Sequence, residues 1–189
     1  MLDKSIPHIS FCMRRDAGKP IPEYPLPEGY RYVFYKPGDE NDWARIETSV
    51  LEFENETDAL QYFQKEFLSY GDEAGRRCLF VETDTGKKIA TASAWWAYTG
   101  QRRDPIVHWV AVSPDFQGKG IGKALTARVV KLLMEIEGDR DYYLSTQTES
   151  HKAVLLYEWA GFEITDEKNI IGHANDRFEE AVAIMDTCR

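Results

Sequence analysis

Cysteine is scarce in this chain: three residues in 189, at Cys12, Cys78 and Cys188. Their odd number and wide spacing fit neither a disulfide framework nor a metal-ligand pattern, so reduced thiols and no metal are expected. Long hydrophobic runs are missing as well. No stretch approaches the ~20 apolar residues that cross a bilayer, and the N-terminus, with Asp3 and Pro7, has no signal-peptide core. A cytoplasmic protein with no membrane partner is the expectation. Basic charge is also short: 23 Lys and Arg against 32 Asp and Glu leave a net charge of −9. A nucleic-acid partner would need a basic face, so none is expected. Repeats and low-complexity tracts are absent. What is present is a hydrophobic content of 43% and an aromatic content of 13%, which argue against disorder.

The length suits one domain with a substantial core. Pro7, Pro20, Pro22, Pro25 and Pro27 mark residues 1–29 as an extended arm, with a short strand at His8 to Arg14. Residues 30–189 then form a single domain. Within it, Tyr30–Tyr35 reads as a strand ended by Pro37-Gly38. Asp39 or Asn41 caps a helix to about Leu51, and Glu56 or Thr57 opens another to about Leu68. Arg77–Glu82, Lys88–Tyr98 and Pro105–Val112 read as strands, Gly120–Ile136 as an amphipathic helix, and Tyr142–Thr146 as the next strand. A short helix carries Tyr157, and Phe162–Thr165 with Ala181–Met185 are predicted to close the fold as a strand pair.

Residues 107–122 are the most informative segment. An apolar strand ends in Val110-Ala111-Val112, turns at Ser113-Pro114-Asp115, and leads through Gln117-Gly118-Lys119-Gly120-Ile121-Gly122 into the helix that holds Lys123. Strand, glycine loop and helix start gather backbone N–H groups and a positive helix dipole around one point, as a phosphate or pyrophosphate requires. The glycines spare such a ligand any clash with a Cβ. Lys119, Lys123, Arg128 and Lys131 fall between 117 and 131 with no acid among them, a local basic patch on an acidic protein. Lys119 and Lys123 suit phosphate contact, whereas Arg128 and Lys131 suit a solvated helix face. Two familiar glycine loops fail the spacing. A dinucleotide fingerprint starting at Gly118 needs glycine where Lys123 stands. A nucleotide P-loop needs a hydroxyl where Ala124 stands and glycine where Gln117 stands.

The pattern Q-x-x-G-x-G after a Val-Ala-Val strand resembles the GNAT superfamily of acyl-coenzyme A-dependent N-acetyltransferases. A second segment strengthens the resemblance. In Ser150 to Phe162, the residues Ala153, Tyr157, Gly161 and Phe162 match the family's Asn-x-x-Ala-x-x-x-Tyr-x-x-x-Gly-Phe, with Ser150 replacing the asparagine. The resemblance covers roughly residues 30–186. It implies an α/β (α+β) fold with a mixed, mostly antiparallel central sheet, splayed at the cofactor and flanked by helices. It also implies acetyl-coenzyme A as co-substrate. The backbone of Val110 and Val112 would hold the thioester and pantetheine arm, residues Gln117, Gly118, Lys119, Gly120, Ile121, Gly122 and Lys123 the pyrophosphate, and Ser150 a further cofactor contact.

Acyl transfer from a thioester to an amine demands a neutral amine, a stabilised oxyanion and a proton for the departing thiolate. The resemblance, through the Gly161-Phe162 match, assigns the last task to Tyr157, whose phenol has a reference pKa near ~10; spacing alone favours a packed helix aromatic. His108 precedes Val110 by two residues, and strand alternation puts both on one face. An unperturbed imidazole titrates near neutral pH, so His108 reads as the base or as a core histidine beside Trp109. Trp43, Trp95, Trp96, Tyr98 and Trp159 read as core before substrate wall. Glu52, Glu54, Glu56 and Asp58 make an acidic loop that suits a cationic amine acceptor or is a solvated helix junction. No cysteine lies on the motif strand or the Tyr157 helix, so direct transfer in a ternary complex is expected. The alternative is a non-catalytic coenzyme A-binding or regulatory module on the same fold. The acceptor and the oligomeric state are left open.

Overall fold

The computed structural model describes residues 2–188. Its strands are β1 (Ser10–Arg15), β2 (Tyr30–Phe34), β3 (Cys78–Thr83), β4 (Lys88–Thr99), β5 (Arg102–Val112), β6 (Tyr142–Gln147) and β7 (Glu163–Ile164). Its helices are α1 (Glu40–Ser49), α2 (Glu56–Glu66), α3 (Glu73–Arg77), α4 (Ile121–Glu137), α5 (His151–Trp159) and α6 (Phe178–Thr187). The strands form one mixed sheet in the order β2-β3-β4-β5-β6-β1-β7. Its β1–β6, β1–β7, β2–β3 and β3–β4 pairings are antiparallel, and β5 meets β6 in parallel at Ile106↔Tyr143.

The chain divides into two compact units. The first comprises Glu23–Ala94 and Trp109–Val129. Here β2 pairs with β3 from Tyr30↔Thr83 to Phe34↔Leu79, and β3 with β4 from Cys78↔Ser93, with a register slip at Val81/Glu82. Helices α1 and α2 pack on each other. Trp43 and Ile46 from α1 and Ala59 and Phe63 from α2 are fully buried, as their three- and four-residue spacing dictates. The side chain of Asn55 caps α2 by accepting from the Asp58 N–H at 2.9 Å.

The second unit comprises Leu2–Pro22, Trp95–His108 and residues 130–188. Its β1 lies between β6 and β7, paired from Ser10↔Gln147 to Arg15↔Tyr142 and again at Met13↔Ile164. Successive residues Phe11, Cys12 and Met13 are all buried, the pattern of a strand covered on both faces. The stretch predicted to be an arm outside the domain thus supplies an interior strand. The predicted strand at Ala181–Met185 is instead part of α6. Ala181 and Met185, four residues apart, are its buried residues, and Glu179 and Glu180 in the first turn suit the helix dipole. Helix α3, unpredicted, is a single short segment before β3.

Candidate active site

The motif strand β5 is not a simple alternating strand. Asp104 to Val107 are all buried, and Trp109 has φ +49°, in the left-handed region that a bulky side chain seldom enters. That break ends the two-residue alternation, so strand parity no longer sets His108 on the face of Val110 and Val112. The Trp109 ring is well held. Its Nε1–H donates to the Tyr62 hydroxyl at 3.2 Å, and the ring stacks on Phe53 at 5.2 Å and meets Trp43 edge-on at 5.5 Å. Such contacts offset a backbone strain of ~1–3 kcal/mol. His108 is half-buried, and burial pushes its imidazole down to about 3. At neutral pH it is an uncharged ring and a much weaker base than the unperturbed imidazole behind its sequence assignment.

Past β5, the Ser113 N–H donates to the Ile89 carbonyl at 2.8 Å, and a single 3₁₀ turn at Pro114–Phe116 reverses the chain. Gln117 spends its side-chain amide on this turn, donating to the Val112 carbonyl at 2.8 Å. Gly118 and Gly120 follow at φ +75° and +83°, and a Cβ at Gly118 would meet nothing within 4 Å. The bond from Ala124 N–H to Gly120 carbonyl, 3.1 Å, begins α4, so the N–H groups of residues 121–123 precede its ladder. No acid stands in that first turn. Ile121 is 1% exposed, so its side chain anchors the helix and only its backbone is left to a ligand. Lys119 and Lys123 are exposed. The structure adds a third cation, Lys87: its Nζ and that of Lys119 lie 5.6 and 4.9 Å from the centre of the Phe116 ring. Lys123 Nζ lies 5.6 Å from the ring centre of Tyr24. Open backbone, helix N-terminus and three lysines fit the diphosphate of coenzyme A.

The second motif ends a helix. Tyr157 is 7% exposed on α5, and its ring meets Phe162 edge-on at 6.4 Å. The Phe162 N–H donates to the Tyr157 carbonyl at 3.0 Å and the Gly161 N–H to the Glu158 carbonyl at 2.9 Å, with Gly161 at φ +91°. This is a complete Schellman cap. The next carbonyls are taken as well: Arg15 Nε donates to Ala160 at 3.0 Å and Lys19 Nζ to Gly161 at 3.2 Å. Arg15 is fully buried, and its Nη2 donates to the Lys19 carbonyl. Ser150 is half-buried at the N-cap of α5, where its side chain makes no capping bond.

Val110, Val112 and residues 117–123 therefore lie in the first unit as one strand, loop and helix start, while His108, Ser150 and Tyr157 lie in the second. Sequence reasoning missed Lys87, which is thirty positions from the loop it joins. It also missed Glu47 on α1, buried at 1% exposure with Oε1 lacking a hydrogen-bond partner. Burial first, and then the charge of Glu52, raise the Glu47 pKa well above the carboxylate range. A signal existed: Glu47 is four residues from Trp43 on a helix whose apolar face holds both. Among the described residues no cluster of His, Cys, Asp and Glu could hold a metal, and no helix is long and apolar enough to cross a membrane.

Residues 41–162 match the model of the acetyltransferase (GNAT) family, a span that includes the glycine loop and the α5 cap. A mycothiol acetyltransferase of Salinispora tropica is 28% identical over 174 residues, covering 85% of this chain and 53% of that protein. One from Actinosynnema mirum is 30% identical over 156 residues, covering 80% and 50%. The chain thus spans about half the length of the curated relatives it matches. The crystal structure of a GCN5-related N-acetyltransferase from Sphaerobacter thermophilus aligns with a TM-score of 0.62 at 25% identity, covering 85% of this chain and 49% of that one. With 41–162 matched and the glycine loop built as described, the chain belongs to the GNAT acetyltransferase family.

Proposed function

We propose that this chain transfers an acetyl group from acetyl-coenzyme A to a primary amine, directly, in a ternary complex. The observation that carries the reading is the open glycine loop: backbone donors at the start of α4, free approach at Gly118, and Lys87, Lys119 and Lys123 around them. In this reading the N–H groups of residues 118–123 bind the diphosphate, and backbone N–H groups of Val110 and Val112 hold the pantetheine arm and the thioester oxygen. Because His108 is held near 3, the acceptor ammonium loses its first proton to water. The neutral nitrogen attacks the thioester carbon, a C–N bond forms, and the C–S bond breaks as the intermediate collapses. Tyr157 gives the sulfur its proton and is reprotonated by the second proton leaving nitrogen. Direct transfer is supported by two of the three thiols: burial pushes Cys12 and Cys78 up to about 12, leaving neither a nucleophilic thiolate. The acidic loop at Glu52, Glu54, Glu56 and Asp58 suits a cationic acceptor, and the relatives' names put mycothiol-related amines on the panel to be tried.

One observation favours the rival, a coenzyme-binding module without catalysis. The Schellman cap by itself accounts for the spacing of Tyr157, Gly161 and Phe162. Thiol release from acetyl-coenzyme A across a panel of amines, with coenzyme A calorimetry in parallel, separates the readings. The enzyme reading expects release with at least one amine, and a kcat lower by ~10²–10⁴ in Tyr157→Phe with coenzyme binding retained. Binding without release from any amine supports the module, and absence of binding sinks both.

A further inference from the structure

One aromatic side chain outside the family-matched residues is pressed against the glycine loop. Tyr24 belongs to the stretch between Pro20 and Pro27, whose four prolines fix φ and leave the segment little freedom to lose on binding. Its hydroxyl oxygen lies 2.9 Å, and its Cε1 and Cζ 3.0 and 3.3 Å, from the point a Cβ on Gly120 would occupy. No L side chain enters position 120 unless Tyr24 moves. The φ of +83° already favours glycine at 120, and a Cβ there would in addition have to displace the tip of Tyr24, whereas at Gly118 the same space is open.

The orientation of the ring is unusual for its exposure. Tyr24 is 39% exposed. An exposed tyrosine ordinarily lays its ring on the protein and points its hydroxyl to water. Here the polar tip is the part closest to Gly120, turned toward the loop that begins α4. Lys123, in the first turn of α4, has its ammonium 5.6 Å from the ring centre, so the ring is held between the loop and a cation. The phenolic O–H, the Lys123 ammonium and the first N–H groups of α4 are therefore gathered at one helix start.

We propose that Tyr24 is a contact residue for the coenzyme's diphosphate, its hydroxyl donating to a phosphate oxygen beside Gly120 and Lys123. The proposal rests on the coenzyme reading above and extends it to a residue outside the span 41–162. It makes the proline-rich segment part of the cofactor site of this chain.

The test is calorimetric titration of coenzyme A, and of pantetheine as a ligand with the same arm and no diphosphate, into wild type, Tyr24→Phe and Tyr24→Ala. Hydrogen bonds to charged groups are the stronger kind, and a partly exposed one falls at the low end of their range, so Tyr24→Phe should weaken coenzyme A by ~10-fold. Pantetheine affinity should stay at the wild-type value, and Tyr24→Ala should lose at least as much coenzyme A affinity as Tyr24→Phe. Melting temperatures without ligand should match wild type, because an exposed ring adds little to folding. Unchanged coenzyme A affinity in Tyr24→Phe overturns the proposal. Equal losses for both ligands, or tighter binding by Tyr24→Ala, overturn it too, showing a packing role or an obstructing ring. A wild type that binds no coenzyme A overturns the coenzyme reading itself, a result distinct from all of these.

Discussion

Helix α4 starts at a glycine loop and helix α5 ends at one, yet the two are finished in opposite ways. At the start of α4, the N–H groups of residues 121–123 precede the helix ladder, Gly118 faces open space, and the nearby side chains are cationic. At the end of α5, the carbonyls of Tyr157, Glu158, Ala160 and Gly161 are all taken by backbone or by Arg15 and Lys19. The same residue type therefore serves reception in one place and closure in the other. Glycine spacing alone does not distinguish them; the difference is whether the polar groups around the glycine are already satisfied.

The contrast breaks most forcefully at Arg15. Replacing this buried guanidinium by methionine keeps an unbranched apolar stem and leaves the Ala160 and Lys19 carbonyls without their donors. The expected cost is about 2–4 kcal/mol in a urea melt; a loss under ~1 kcal/mol would mean that the α5 end is closed by backbone alone.

A paired substitution sharpens it. Alanine at Gly118 or at Gly161 must adopt a left-handed φ, at a cost of about 1–2 kcal/mol each. At Gly161 the new Cβ also approaches Arg15 Nε to 3.4 Å. Both variants should melt earlier, but only Gly118→Ala should lose coenzyme A affinity. Equal affinities in the two would erase the distinction between the receiving and the closed end.

The smallest effect concerns a second buried ionisable group. Arg15 meets carbonyls through Nε and Nη2 but its Nη1 has no partner, and Oε1 of Glu47 has none either. Its carboxyl titrates above the ordinary 4.5 in the folded state. Below that pH both folded and unfolded chains hold the proton and Glu47 carries no ionisation penalty. As pH rises, the unfolded chain ionises first, so stability falls until the folded carboxyl ionises too. Glu47→Gln should therefore match wild type at acid pH and exceed it by about 1 kcal/mol in mildly alkaline buffer, where one pKa unit is worth that much. Parallel melts at the two pH values measure it, and an identical slope in both proteins would show that Glu47 is already ionised.

Most of the fold was legible because its signals are local. The glycine loop, the amphipathic α4 and the strands either side of it follow from side-chain period and turn residues. What was not legible depended on partners distant in sequence. Phe11 to Met13 look like a short strand in a proline-rich lead, and only pairing with β6 makes them interior. The five residues from Ala181 to Met185 are too short an apolar run to tell strand from helix. The left-handed Trp109 is invisible in sequence, since the aromatic rings that stabilise it come from α1, α2 and the loop between them. That one backbone angle removes the parity argument for His108, and burial removes its near-neutral titration. Lys87 reached the loop only through a turn thirty residues earlier.

The place of β1 carries a practical lesson for anyone cutting this chain to size. Trimming to the family-matched boundary at residue 41 would delete a strand from the interior of the sheet and, with it, Arg15 and Lys19. Strand β6 would lose its partner from Tyr142 to Gln147 and present a bare hydrogen-bonding edge. Such an edge recruits any extended chain within reach, most readily another copy of the same fragment, so the trimmed protein would be expected to precipitate or pair with itself. Even a cut just before Ser10 would remove the buried Leu2 and Ile9 and the 2.9 Å bond from the Asp3 N–H to the Glu149 carbonyl.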